Sequence, residues 1–237
     1  MNSIIRATKY QLTMFIPQSL LCISIIALNI LISITVSYLF PGSGISAGSS
    51  DSVAIIWIFI IGLISFTPSF KFMLSNSVSR KSLFWANILS MSILSVALAT
   101  VVTILLWLVS RMNIKIIVLY TLIYKNNSVI GIFIWLIGVF FLLIILGWFI
   151  NMVYYRSSKG MAYVISFSPF ILSGLIIIIN LTTNGKLFDY IIKFIVTAMG
   201  FSGSIPNPYV GALSMLIFAA IICIFNYLLI RKAEIKG

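Results

Sequence analysis

Long apolar runs separated by short polar joints dominate this chain. Runs of about 20 predominantly apolar residues, the length that crosses bilayer hydrocarbon as a helix, recur six times: Leu20 to Phe40, Val53 to Phe70, Leu83 to Val109, Val129 to Asn151, Met161 to Leu181 and Val210 to Ile230. This pattern predicts an all-α integral membrane protein with six transmembrane helices. Two further apolar pieces do not qualify as spans. One lies within Met112 to Asn127 and is bounded by Lys115 and Lys125; the other, Phe188 to Phe201, carries Asp189 and Lys193 and precedes the Pro206-Asn207-Pro208 turn. Both are expected at the membrane interface, the second inside an external interfacial or re-entrant segment over 184–208. Residues 1–19 are expected to form an interfacial N-terminal helix, because Ile4 to Phe15 interleaves apolar residues with Arg6, Lys9 and Gln11.

Composition adds the class and the orientation. Of 237 residues, 62% are hydrophobic and 8% charged, so little chain remains outside the spans and one membrane domain over 1–237 is expected. The first apolar run is too long for a signal-peptide core and leads into another span, which predicts an uncleaved first helix. With the N-terminus inside, the cytoplasmic segments hold Arg6, Lys9, Lys71, Arg80, Lys81, Arg156, Lys159, Arg231, Lys232 and Lys236, and the external ones Arg111, Lys115, Lys125, Lys186 and Lys193. Ten cations against five favour cytoplasmic termini. Arg111 falls at the C-terminal end of the third span, where the helix dipole favours a cation. The net charge of +12 is then a signature of orientation and implies no nucleic-acid partner.

The scarcity of titratable groups narrows the function. There is no His, and the three carboxylates, Asp51, Asp189 and Glu234, all fall outside the apolar runs. Ion-coupled transport usually uses ionisable groups within the membrane, and an intramembrane hydrolase needs convergent acids, bases or a metal site. Neither enzyme chemistry nor a metal site is expected. Cys22 and Cys223 lie within spans and read as small packing residues. Asp51 precedes the second span and reads as a helix cap. Asn29, Asn87 and Asn180 suit interhelical hydrogen bonds or a path lining, and Ser90, Ser92 and Ser95 suit close helix approach. Pro17 and Pro169 are expected to kink or start helices.

No G-x-x-x-x-G-K-[ST] phosphate loop is present, so any ATP-driven work needs a partner chain. Against that background the polar island Ser75-Asn76-Ser77-Val78-Ser79-Arg80-Lys81 stands out between two greasy runs. A short helix there, capped by Ser75 or Asn76, is suited to transmit a push from a cytoplasmic ATPase. From composition alone, a plain cytoplasmic connector whose Arg80 and Lys81 only enforce topology is the stronger reading.

The stretch Phe72-Met73-Leu74-Ser75-Asn76-Ser77-Val78-Ser79-Arg80-Lys81-Ser82-Leu83-Phe84 resembles the F-x-L-S-N-G-V-S-R-K-x-x-F segment between the second and third helices of bacterial ABC-2 type permeases, the membrane subunits of ATP-binding cassette exporters. Tyr154-Tyr155-Arg156-Ser157-Ser158-Lys159-Gly160 is similar to the Y-R-F-G-K-K-G loop between helices four and five of the same proteins. Ser77 stands where Gly is common, which weakens the case for a helix C-cap there. Ser157 and Ser158 replace the usual Phe-Gly.

The resemblance implies a type V exporter-like architecture in the bacterial cytoplasmic membrane. It pairs this chain with a second permease copy or paralogue and with two ATPase subunits that hold ATP and Mg; the chain itself needs no cofactor. Ser75 to Lys81, within a cytoplasmic coupling loop over 71–82, make the main ATPase contact on this reading, and Arg156, Lys159 and Gly160 a secondary one. No residue is assigned to cargo. Without buried charge, the path suits a hydrophobic or amphipathic cargo such as a peptide, toxin, antibiotic or lipid. Two other classes stay open: a non-transporting accessory or sensor subunit, and a stand-alone secondary transporter.

Overall fold

The computed structural model describes residues 2–39, 50–111, 118–183, 185–203 and 206–231, together with all but a few of their side chains. Eight helices account for most of them: α1 (Asn2–Leu39), α2 (Ser50–Ser75), α3 (Arg80–Ser110), α4 (Leu119–Tyr124), α5 (Val129–Arg156), α6 (Lys159–Thr182), α7 (Lys186–Ala198) and α8 (Pro208–Arg231). No strand occurs among the described residues. Five helices, α1, α3, α5, α6 and α8, are long and apolar enough to cross a membrane. Within α2, Asp51–Phe66 forms a shorter apolar stretch. The chain is therefore an all-helical membrane protein.

The most apolar helix, α5, is the hub of the bundle, packed against α2, α3 and α8. Its closest partner is α2, and two glycines permit the approach. A Cβ on Gly147 would lie 2.6 Å from the Phe59 carbonyl oxygen and 2.9 Å from the Leu63 nitrogen, and Gly62 faces the backbone of Ile144 and Gly147 in the same way. Small residues let membrane helices meet backbone to backbone, where dispersion contacts are densest. On another face of α5, Gly138 sits against Ala212 of α8, its hypothetical Cβ 3.1 Å from the Ala212 Cα.

Polar side chains stitch the remaining helices to this hub. Asn151 donates to the Leu63 carbonyl, joining α5 to α2. Across α1 and α3, Ser90 Oγ donates to Gln11 Oε1 at 2.7 Å, with both residues buried. Trp57 Nε1 donates to the Gln18 carbonyl at 3.0 Å, and Tyr10 stacks on Phe72 with ring centroids 4.5 Å apart. The first half of α1 is thus packed on α2 and α3, and the helix continues through Pro17 without a break at residue 19. Pro17 and Pro169 both lie inside helices and start neither. Of the three serines singled out in α3, Ser90 crosses to another helix, whereas Ser92 and Ser95 bond to the carbonyls of Ile88 and Met91 in their own helix.

Outside this bundle, α6 and α7 are packed differently. The consecutive residues Phe170, Ile171 and Leu172 are 72%, 54% and 57% exposed. Because successive residues point about 100° apart, α6 is bare on every side here. It is tied mainly at its ends, by Tyr154 Oη and Ser166 Oγ at 2.6 Å and by Asn180 Oδ1, which accepts the Phe188 amide at 3.1 Å. The amphipathic α7 has no buried residue, with Lys186, Asp189 and Lys193 along one side.

Candidate functional site

The polar island is a tight joint between two long helices. At the end of α2, the Val78 amide donates to the Met73 carbonyl and the Ser77 amide to the Leu74 carbonyl, both at 3.1 Å. This is the paired hydrogen-bond pattern of a Schellman C-cap, with Ser77 at the left-handed position. Ser77 takes a φ of +58° although it is not glycine. The C-cap that the Gly-to-Ser change made doubtful is therefore formed. Immediately afterwards Ser79 becomes the N-cap of α3, accepting the Ser82 amide at 3.2 Å.

These two caps correct the expectation of a separate short helix capped by Ser75 or Asn76. Ser75 is the last residue of α2, Asn76 donates its side-chain Nδ2 to the Phe72 carbonyl at 2.8 Å, and Arg80 and Lys81 open α3. Only 76–79 separate the helices, too few for a helix of their own.

Arg80 is engaged within the fold. Its Nη1 donates to the Arg231 carbonyl at 2.7 Å, satisfying an orphan carbonyl in the last turn of α8 and placing a cation at that helix's negative end. Lys81 is exposed one residue further on. A cleft of about 570 Å³ runs beside the joint, between α1 residues Ser3, Arg6 and Tyr10 and Asn76, Ser77 and Ser79.

The second matched loop lies at the same end of the bundle. Tyr155 packs edge-on against Phe66 and Phe70 near the end of α2, with centroids 5.7 and 5.4 Å away. Arg156 is the exposed last residue of α5, and Ser157 and Ser158 alone connect it to α6. Ser157 caps α5 through its amide, and Ser158 caps α6 by accepting the Met161 amide at 3.4 Å. Gly160 lies in the first turn of α6, and a Cβ there would meet nothing within 4 Å, so no packing demands glycine. The Lys159 and Lys71 side chains, and Lys115, Lys232, Glu234 and Lys236 entirely, lie outside the described residues.

The chain matches no family model, no curated protein and no solved structure.

At the opposite end, a buried acid joins α2 to α4. Asp51, two residues before the apolar run, is fully buried, and its Oδ2 accepts the Leu119 amide at 2.7 Å. The sequence suggested a cap for its own helix; the carboxylate also caps α4, whose own N-cap residue Val118 offers no side-chain acceptor. Burial pushes the Asp51 carboxyl above its ordinary value of 3.8, while backbone amides including those of Leu119 and Tyr120 pull the other way. Tyr120 and Tyr124 complete this end: Tyr120 fills the space beside Gly131, and Tyr124 donates to the Met199 carbonyl at 3.0 Å and stacks on Phe201. Arg111, the C-cap of α3, lies over the Trp107 ring at 5.2 Å, at the helix end where a cation was expected.

Proposed function

We propose that this chain is the membrane-spanning permease subunit of an ATP-driven exporter, with six spans and both termini in the cytoplasm. On this reading α2 is the sixth crossing, and the end that bears Arg80, Lys81, Arg156 and Arg231 faces the cytoplasm. The observation that carries the proposal is that the two loops resembling the ABC-2 permease motifs lie at the same basic end of the bundle.

The joint at Ser75 to Lys81 is the main ATPase contact in this proposal, with Arg156, Lys159 and Gly160 beside it. Because the joint is capped on both sides, a push on it is delivered straight into α2 and α3, which run for 26 and 31 residues. The backbone contact between α2 and α5 conveys the same push to the second loop. A second permease copy or paralogue is supported by α6, which has little packing within its own chain. Asp51 aside, the buried polar side chains among the described residues are uncharged, which suits a hydrophobic or amphipathic cargo.

The test is co-purification with a co-expressed ATP-binding cassette ATPase from mild detergent, followed by an ATP hydrolysis assay. A stable, hydrolysing complex weakened by Lys81→Glu with Arg156→Glu is expected. Arg80→Glu is read separately, because it also breaks the bond to α8. An ATPase-free eluate of well-folded protein would overturn the proposal and favour an accessory subunit or a secondary transporter.

A further inference from the structure

A groove of about 500 Å³ opens between α3, α5 and α8 at the basic end of the bundle. Its walls are Phe84, Trp85, Phe141, Cys223 and Tyr227, and Lys81 stands at its rim. The groove has a polarity along the helix axes. On α3, Lys81 lies at the helix start and Ile88 two turns deeper; on α8, Ala220 lies deep, Tyr227 two turns further out, and Arg231 at the helix end. The deep part is therefore hydrocarbon and aromatic, whereas the outer part ends at Lys81, on the end of the bundle that also carries Arg80 and Arg231. Asp51 lies at the other end of the bundle and Asp189 in α7 beyond the far end of α6, so no described carboxylate neutralises these cations.

An apolar trough ending in cations is complementary to one kind of molecule in particular: a lipid whose chain lies between the helices and whose headgroup is negative. From this we infer that the groove is a binding site for a phospholipid with an anionic headgroup, one acyl chain lying against Trp85 and Phe141 and the phosphate at Lys81. Basic residues at the membrane surface attract such headgroups, each contributing about 1 kcal/mol, whereas a zwitterionic lipid gains the chain contact alone. Trp85 is 50% exposed, so the groove opens sideways and a lipid enters from the bilayer without leaving it. The site is distinct from the cleft beside α1 and does not depend on the exporter reading.

The experiment uses the full chain reconstituted in phosphatidylcholine vesicles, with tryptophan fluorescence quenched by lipids brominated on the acyl chain. The Trp85 contribution is the difference between the protein and its Trp85→Phe variant. Brominated phosphatidylglycerol should quench it at a mole fraction about five-fold lower than brominated phosphatidylcholine, the factor corresponding to one lysine at the headgroup. Lys81→Gln should bring the two lipids together, and Ala220→Phe, which fills the floor of the groove, should reduce quenching by both. Equal quenching by the two lipids in the unaltered protein overturns the proposal, as does a preference that Lys81→Gln leaves intact. Quenching of Trp85 by neither lipid also overturns it and would assign the groove to a protein partner. Should Ala220→Phe fail to fold, the comparison with Lys81→Gln is sufficient by itself.

Discussion

Replacing Gly147 by alanine probes the close backbone contact between α2 and α5. The new Cβ would stand 2.6 Å from the Phe59 carbonyl oxygen and 2.9 Å from the Leu63 nitrogen, where ordinary contact begins near 3.4 Å. Both neighbours are backbone, so no side chain can swing aside; α2 and α5 must separate by about 0.5–1 Å, a gap that forfeits a quarter to a half of the dispersion well for each atom pair along the seam. Overpacking of this kind costs about 1–3 kcal/mol. For a chain of this size that corresponds to a melting point lower by about 2–4 °C per kcal/mol. The control is Gly174→Ala in α6, where a Cβ would meet nothing within 4 Å; that change should be neutral or should stabilise by about 0.5–1 kcal/mol through helix propensity. The assay is thermal unfolding of detergent-purified protein followed by size-exclusion chromatography. A Gly147→Ala protein that melts with or above Gly174→Ala would refute the backbone contact and, with it, the rigid link between the two loops.

Ser77→Gly should raise stability by about 1 kcal/mol, since it relieves the left-handed strain at φ +58° without disturbing either cap bond; thermal unfolding checks it, and a lower melting point would count against the C-cap. Asp51 should make stability fall as pH rises from its unfolded value of 3.8 through its raised folded value, because over that interval the native state binds more protons than the unfolded one. Asp51→Asn, which keeps an acceptor for the Leu119 amide, should flatten that slope in melting curves recorded across the same range. Arg80→Ala should increase amide hydrogen exchange selectively in the last turn of α8, where the Arg231 carbonyl loses its donor at 2.7 Å; unchanged exchange there would mean that the bond contributes nothing in solution.

The long apolar helices were legible in the sequence because they depend on local properties, above all the length of the apolar runs. Among the described residues five helices qualify as crossing by length and composition, and the sixth span belongs to the proposed function. What the sequence did not reveal are pairings between distant residues. Arg80 and the Arg231 carbonyl are 151 residues apart, Ser90 and Gln11 are 79 apart, and Asp51 and Leu119 are 68 apart. Nothing local to Arg80 signals that it is occupied by another helix. Gly62 and Gly147 had a weaker signal: single glycines in apolar helices imply close approach, but to which helix is decided only by tertiary packing. The cap at Ser77 ran against propensity, and tertiary context won. Both flanking helices are anchored, so the chain must turn within four residues whichever side chain stands there.

Because so few side chains of its own chain touch α6, natural sequence drift along that helix is filtered chiefly by what surrounds it. In lipid alone, any apolar residue is acceptable at Phe170, Ile171 or Leu172, and tolerance is uniform around the helix. Against a protein, tolerance collapses on one side. A saturation-mutagenesis map of α6 therefore acts as a compass: the bearing of its intolerant face points to the neighbour, and a featureless map means that this helix lives among lipids.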